Sequence, residues 1–466
     1  MIDLKNFRNI HCIGIGGIGL SAIAEILMSR GYHVSGSDMK ESDITRKLAE
    51  KGATIYIGHD RSNVENVDLI IYSAAIAEEN PEVIRARERG IPLASRAEIL
   101  GLLMQEYGIG IAISGTHGKT STTSMVSLVL KQAGLDPTIL VGGQLDEIGG
   151  NVRVGGKEYF VTEACEYRDS FLELKPDIEL ILNIDSDHLD YFKSMDHIVQ
   201  SFDRFARAVP ETGVIIAYDS NPFVNEVIHG LPNVITFGYN QSCSYQITKV
   251  RFNENGMPSF RMICRTDGRE EDLGEVSLQV PGEHNILNAA AAFTCCHILN
   301  VDPKVICETL GAYHGTHRRF DVIGTTEKGV RIVDDYAHHP TEIHATLSAA
   351  EKLPHGKLWC LFQPHTYTRT LALFDQFRDA FAEADVLILA DIYAAREKDI
   401  YHVSSEKLCE AIRREHPEKE VLYMDSFQKI ADYVDEHAQK GDMVLTMGAG
   451  DIYKVGKMIL EKDNDH

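Results

Sequence analysis

The chain alternates short apolar runs with stretches of helical spacing, and twice the turn between them is a glycine loop. That alternation confines it to α/β architecture, because strand–helix–strand units close into parallel sheets with helices on their faces. The first loop, "IGIGGIGLSA" at 13–22, carries Gly14-x-Gly16-x-x-Gly19 between "IHCIG" and the helix-periodic "LSAIAEILMSRG". The second, "ISGTHGKTSTT", joins the apolar "IGIAI" to "SMVSLVLKQAG" and contains a lysine. Both have the form of a phosphate cradle, in which glycines let the backbone approach an anion at a helix N-terminus.

Further strands follow each loop. "HVSGSD" and "VDLIIYSAAI" extend the first unit, and "PLASRAEILGLLMQEYG" reads as its closing helix. In the second unit "KEYFVTE" and "IELILNI" are strands that run into polar loops, and "GVIIAYDS" and "NVITFGY" add two more. Residues 244–280 alternate apolar and polar, with Asn255-Gly256 and Asp267-Gly268 as turn signals, which predicts a small antiparallel insertion. "PGEHNILNAAAAFTCCHIL" reads as a loop into a helix. A third unit opens after "GTHRRFD", with strands "VRIVDD", "LWCLFQ", "VLILAD" and "MVLTMG". The expectation is three α/β domains, 1–105, 106–317 and 318–466. The outer two are Rossmann-like, and the middle one is a P-loop ATPase-type parallel sheet carrying the insertion.

Composition narrows the partners. A net charge of −23 leaves no basic excess to neutralise a phosphate backbone, so general nucleic-acid binding is not expected. Any anionic ligand needs local help from a lysine, a helix N-terminus or a metal. The nine cysteines are scattered, without C-x-x-C or zinc spacing, as in reduced, buried thiols of a cytoplasmic protein. The N-terminus lacks a signal-peptide layout, and no apolar run is long and clean enough for membrane insertion.

The second loop is the more specific of the two. In "SGTHGKTS", Gly115, Thr116, His117 and Gly118 supply backbone N–H groups, Lys119 a cation for β/γ-phosphates, and Thr120 and Ser121 hydroxyls, that of Thr120 for Mg²⁺. It departs from the usual eight-residue pattern because Ile113 stands where the first glycine belongs. The residues point to ATP; the alternative is a surface turn that happens to hold Gly-Lys-Thr. Glu163 ends "YFVTE" and His188 follows "ILNI", at carboxyl ends of strands where ligands gather. A Mg²⁺ site or an ordinary solvated glutamate and loop histidine both fit. The first loop, with Asp38 about 20 residues beyond Gly19, fits a nicotinamide dinucleotide, a nucleotide handle on a substrate, or plain helix–strand packing.

Taken together, "GTHGKTST", "NIDSDHLDYF", "PGEHNILNA", "HRRFD", "DDYAHHPTEI", "QPHTYTRT" and "MGAGDI", in that order, resemble the Mur ligases over nearly the whole chain. The N-terminal "GIGGIGLSAIAEIL" and "DDYAHHPTEI" narrow the resemblance to the member that acts on UDP-N-acetylmuramate and L-alanine. The resemblance implies ATP-driven amide formation in peptidoglycan synthesis, with UDP on the first loop and ATP on the second. It places Gly14, Gly16, Gly17, Ile18, Gly19, Asp38, Ser73 and Arg96 around UDP. It places Lys119 on the phosphates, Thr120, Glu163 and His188 on Mg²⁺, and His284, Asn285 and Asn288 on the adenine side. Arg319 and Asp335 reach ATP from across the domain boundary, and His338, His339, His365 and Arg369 lie near the acyl group and the amine.

Two alternatives stay open: a histidine of "DDYAHHP" caps the next helix, and "HTYTRT" is a polar loop feeding a helix. Where many family members carry a run of acids, this chain reads "EACEYRDSF", so Glu163 is the expected ligand and Glu166 is not. Some relatives use a carbamylated lysine; none occurs here between Lys193 and Lys249, and none is expected to be used. The implied chemistry is an acyl phosphate followed by attack of the amine, with a base near His338 or His365. A monomer or weak homodimer is expected. The rival readings are an NAD-dependent oxidoreductase, a non-catalytic nucleotide-binding partner of a cell-wall enzyme, and a recycling ligase that adds a preformed tripeptide to the same UDP-sugar.

Overall fold

A computed structural model describes residues 2–73, 76–189, 191–266 and 268–463. Ala74 and Ala75 of "VDLIIYSAAI", Asp190 of "NIDSDHLDYF" and Asp267 of the expected Asp267-Gly268 turn lie outside them.

Three sheets follow one another along the chain. In the first, parallel strands lie in the order Thr54–Ile57, His33–Asp38, Asn9–Ile13, Leu69–Tyr72, Leu93–Ser95. The order reverses beside Asn9–Ile13, and such a switch point opens a crevice at the strand ends. Gly14–Gly19 turn there into the helix Ile18–Ser29. The stretch read as one closing helix is in fact a short strand, Leu93–Ser95, and then the helix Arg96–Met104. Ser95 divides them: its hydroxyl accepts from the Glu98 N–H while Glu98 accepts from the Ser95 N–H, a reciprocal capping box.

The second sheet has ten strands, in the order Arg269–Ser277, Pro258–Thr266, Tyr245–Phe252, Val234–Gly238, Val214–Tyr218, Ile178–Ile181, Ile109–Ser114, Tyr159–Glu163, Thr138–Leu145, Gly150–Arg153. It is mixed rather than parallel. The expected antiparallel insertion is present over 245–277: Tyr245 pairs in parallel with Phe237, so the ribbon extends the edge of the same sheet. At the other edge Gly150–Arg153 runs antiparallel to Thr138–Leu145. Helices Lys119–Gln132 and Glu283–Ile298 pack together on one face, where Met125, Val126 and Val129 share a core with Ala289–Ala292 and Phe293. The run of alanines leaves no bulk between the helices, which draws their N-termini to one place.

The third sheet runs Asp321–Thr325, Arg331–Asp335, Met443–Met447, Leu358–Phe362, Val386–Leu389, Glu420–Tyr423, parallel except for its first strand. Among the described residues no helix is long and apolar enough to cross a membrane.

Candidate active site

Strand Ile109–Ser114 lies between Ile178–Ile181 and Tyr159–Glu163, so the loop that leaves it enters the crevice of the central sheet. Gly115 (φ 132°) and Gly118 (φ 85°) turn the chain through conformations that favour glycine. A Cβ on Gly115 would sit 3.0 Å from Leu182, and one on Gly118 would run into Asn288 Oδ1. Asn183 clamps the loop from the next strand: its Oδ1 accepts from the His117 N–H at 2.8 Å and its Nδ2 donates to the His117 carbonyl at 3.0 Å. Lys119 begins the helix, and its Nζ donates to the Thr116 carbonyl at 2.9 Å and to Glu166 at 2.8 Å.

Two cavities meet at this loop. One, of about 410 Å³, is lined by His117, Gly118, Ser121, His284, Asn285, Asn288, Arg319 and Asp335, with Leu182, Tyr218 and Phe237 as an apolar wall. All the residues expected on the adenine side and across the boundary therefore converge. Asn285 donates to the Pro281 carbonyl at 2.7 Å and accepts from Asn288 at 3.1 Å, which fixes both amides. The other cavity, of about 610 Å³, is lined by Thr116, Lys119, Thr120, Glu163, His188, His338, His365 and Arg369. Gly118, Arg319 and Glu342 belong to both walls.

Glu163 accepts from the Gly142 N–H at 2.6 Å. A Cβ on Gly142 would lie 2.7 Å from Glu163 Oε2, and one on Gly143 would lie 3.2 Å from the Thr120 methyl. Two bare glycines thus leave room for the Glu163 carboxylate and the Thr120 side chain along one wall. His188, at φ 54°, puts Nε2 3.7 Å from Glu166 Oε1. Glu166 is buried, and its charge is engaged by Lys119.

The imidazoles differ in role. Burial pushes His338 down to about 3 and His365 down to about 4, so both are neutral at pH 7. A base expected beside them is therefore a weak one in this arrangement; as neutral rings they suit accepting a hydrogen bond. His339 departs from the expected place. It lines neither cavity but caps the helix Pro340–Glu351, accepting from the Thr341 N–H at 3.3 Å, while Nε2 donates to the Ser186 carbonyl at 2.8 Å. Thr366 likewise caps the helix Tyr367–Ala372, and His365 and Arg369 on either side of it line the larger cavity, so the capping role leaves both side chains at its wall.

Several charged residues that sequence reasoning passed over hold this geometry. Asp187 accepts from Arg369 at 2.8 Å. Burial pushes the Asp187 carboxyl up, but Arg369 and the surrounding histidines outweigh it and hold the group well below the usual range. His117 bridges Asp185 and Glu342, each at 3.2 Å. Burial lowers its basicity, yet the two carboxylates overcome that and raise it to about 9. The signal was present in "NIDSDH", where Asn183, Asp185 and Asp187 follow a strand end.

In the first unit Asp38 accepts from the Gly16 N–H at 2.9 Å. Virtual Cβ atoms on Gly14 and Gly19 would come within 3.4 Å of Ser73 Oγ and 3.1 Å of Arg96 Nη1. Asp38, Ser73 and Arg96 are thus gathered at the first glycine loop. Gly17 is the N-cap of the helix, and Ile18, nearly half exposed, is tied to the central unit by Asn151 Nδ2 donating to its carbonyl at 2.9 Å.

Family models cover most of the chain: "Mur ligase family, catalytic domain" over 9–108, "Mur ligase middle domain" over 113–296 and "Mur ligase, glutamate ligase domain" over 318–450. The chain belongs to the Mur ligase family. Among relatives in that family, a UDP-N-acetylmuramate–L-alanine ligase of Alkaliphilus metalliredigens is 50% identical over 460 residues, 98% of each chain. One of Clostridium acetobutylicum is 50% identical over 463 residues, 99% of each. The crystal structure of a UDP-N-acetylmuramate–alanine ligase from Thermotoga maritima superposes with a TM-score of 0.82 at 27% identity, covering 98% of this Mur ligase and 99% of that chain. A murein peptide ligase of Psychrobacter arcticus shares the fold, with a TM-score of 0.75 at 23% identity over 98% and 99%.

Proposed function

We propose that this Mur ligase joins the amino group of L-alanine to the lactyl carboxylate of UDP-N-acetylmuramate, with cleavage of ATP to ADP and phosphate. The observation that carries the reading is the pair of cavities divided by the glycine–lysine loop. A nucleotide whose base lies among Tyr218, Phe237, His284, Asn285 and Asn288 sends its phosphates past Gly118 to Lys119, at the entrance to the larger cavity. There the sugar-borne carboxylate attacks the γ-phosphorus, the bond to the β-phosphate oxygen breaks, and an acyl phosphate forms. The amine then attacks the acyl carbon and phosphate leaves.

The first step brings an anion to a polyanion, so charge must be cancelled. Lys119 and the helix N-terminus it begins do part of this. Thr120, Glu163 and His188 are the residues that would hold Mg²⁺; hydroxyl and carboxylate oxygens suit that ion, imidazole less so. When bound, the ion neutralises phosphate charge. Neutral His338 and His365 orient the amine, and Arg319 and Asp335 hold the nucleotide from the C-terminal unit. Gly14, Gly16, Gly17, Ile18, Gly19, Asp38, Ser73 and Arg96 hold the UDP handle, so the first cradle anchors the substrate and the second supplies energy. A compartment that supplies ATP and keeps thiols reduced, as the cytoplasm does, fits this reading.

Whole-length identity near 50% to L-alanine ligases favours alanine over a tripeptide as the amine. A dinucleotide oxidoreductase would leave residues 115–120 without a role. The test is phosphate release with ATP, Mg²⁺ and UDP-N-acetylmuramate, with and without L-alanine. Release that requires both the sugar and alanine is expected. Release with the tripeptide but not with alanine would move the reading to the recycling ligase, and ATP binding without release would leave a non-catalytic partner.

A further inference from the structure

Four cationic side chains line the larger cavity: Lys119, Arg319, Arg369 and Arg396. Lys119 is paired with Glu166, and Arg369 with Asp187. Arg319 also lines the smaller cavity and lies 5.1 Å over the Tyr336 ring, beside the glycine–lysine loop. Arg396 lines the larger cavity alone, and among the described residues no carboxylate comes within ion-pair distance of it.

The backbone that presents Arg396 is fixed on both sides. The Tyr393 N–H donates to the Pro364 carbonyl, and the Thr366 N–H donates to the Tyr393 carbonyl, each at 2.9 Å. The His365 and Tyr393 rings stack with centroids 5.7 Å apart. On the far side Glu397 accepts from the Thr368 N–H at 2.9 Å and from the Thr368 hydroxyl. Between these anchors Ala395 has φ 52°, a left-handed conformation that is strained for a residue with a Cβ. Such strain persists where the surroundings over-determine it, and the residue it presents is Arg396, an exposed side chain on the wall of the larger cavity.

The reaction brings three substrates, and the ligase reading gives the phosphates of one to Lys119 and the nucleotide of another to the first glycine loop. The third, a free amino acid, carries a carboxylate two bonds from its amine. Glu163, Asp187, Glu342 and Glu397 also line this cavity, so a second anion needs an uncommitted cation. The geometry points to Arg396 as the residue that binds the α-carboxylate of the incoming amino acid, an inference that rests on the ligase reading above. A planar guanidinium grips a carboxylate through two parallel bonds, which sets where the neighbouring amine lies. A peptide has an amide in that position, so the same residue favours a single amino acid over a tripeptide.

The test uses the full chain with Arg396→Gln and Arg396→Lys, following phosphate release at saturating ATP, Mg²⁺ and UDP-N-acetylmuramate while L-alanine or L-alaninamide is varied. Arg396→Gln is expected to raise KM for L-alanine about 10- to 100-fold, the loss of one charge-assisted contact. KM for ATP and for the UDP-sugar stays within about twofold, and the melting temperature is unchanged. Arg396→Lys recovers part of the loss. L-alaninamide, which lacks the anion, is used equally by the parent protein and by Arg396→Gln. An unchanged KM for L-alanine, or an equal rise for ATP, overturns the assignment. If the parent protein itself releases no phosphate with L-alanine, the ligase reading falls first and this inference with it.

Discussion

Lys119 holds its own loop together as well as facing the expected phosphates. Its ammonium donates to the Thr116 carbonyl and to Glu166, so the cation is held at the loop before it meets an anion. Lys119→Ala is expected to lower phosphate release by about 10²–10³-fold or more, as for loss of a main charge-stabilising donor. UDP-sugar binding, measured by calorimetry, stays intact because the first glycine loop belongs to another sheet. Gly118→Ala should abolish ATP binding in the same assay, since its φ of 85° and the nearby Asn288 amide both exclude a side chain. At this scale the sequence was most readable where one short stretch sets its own geometry, as "SGTHGKTS" does in its glycine turns and the helix that Lys119 begins. The pairings of Glu166, Asp187 and Glu342 were not readable, although "NIDSDH" marks Asp187 as lying past a strand end. Their roles depend on partners 47, 182 and 225 residues away, and spacing along a chain carries no sign of such pairs.

At the scale of elements, "DDYAHHP" shows how one motif serves two ends. His338 faces the cavity, while its neighbour His339 caps a helix and ties it to Ser186. His339→Ala is expected to cost about 0.5–2 kcal/mol, the range for a lost N-cap, measured by urea unfolding. Ser95→Ala should cost a similar amount by undoing the capping box. Strands with continuous apolar runs were legible, and "HVSGSD" is the strand His33–Asp38 to the residue. The missed ones are short or lie at edges: Thr54–Ile57, exposed at three of its four residues, Leu93–Ser95, Gly150–Arg153, Asp321–Thr325 and Glu420–Tyr423. An edge strand is covered on one side only, so it needs little apolar pattern. Thr138–Leu145 hid for another reason: it contains Gly142-Gly143, which reads as a turn and instead leaves room beside Glu163 and Thr120.

Across the whole molecule, the C-terminal unit is pinned to the central one by charged contacts near the site. His117 meets Glu342, Thr341 donates to Asp185, and Arg369 donates to Asp187. These make the assembly sensitive to pH with a definite sign. His117 titrates at about 9 in the fold against an ordinary 6.5, so its stabilisation is complete below pH 6.5 and is lost as pH rises towards 9. The melting temperature of the full chain should fall across that window, and His117→Asn should flatten the slope; an unchanged slope would remove His117 as its source. Small-angle scattering on adding ATP and UDP-sugar should show compaction if the units close to exclude water from the acyl phosphate.

The third sheet has a further consequence for how the protein is made. Its middle strand, Met443–Met447, pairs with Arg331–Asp335 on one side and Leu358–Phe362 on the other, and it is the last strand of the chain. While the ribosome is still translating, the first sheet can close once residue 95 has emerged, but this one stays split down its centre until residue 447 has emerged. A premature stop just upstream of residue 443 would therefore leave two half-sheets with bare inner edges, a product suited to aggregation or proteolysis rather than a slightly shortened enzyme.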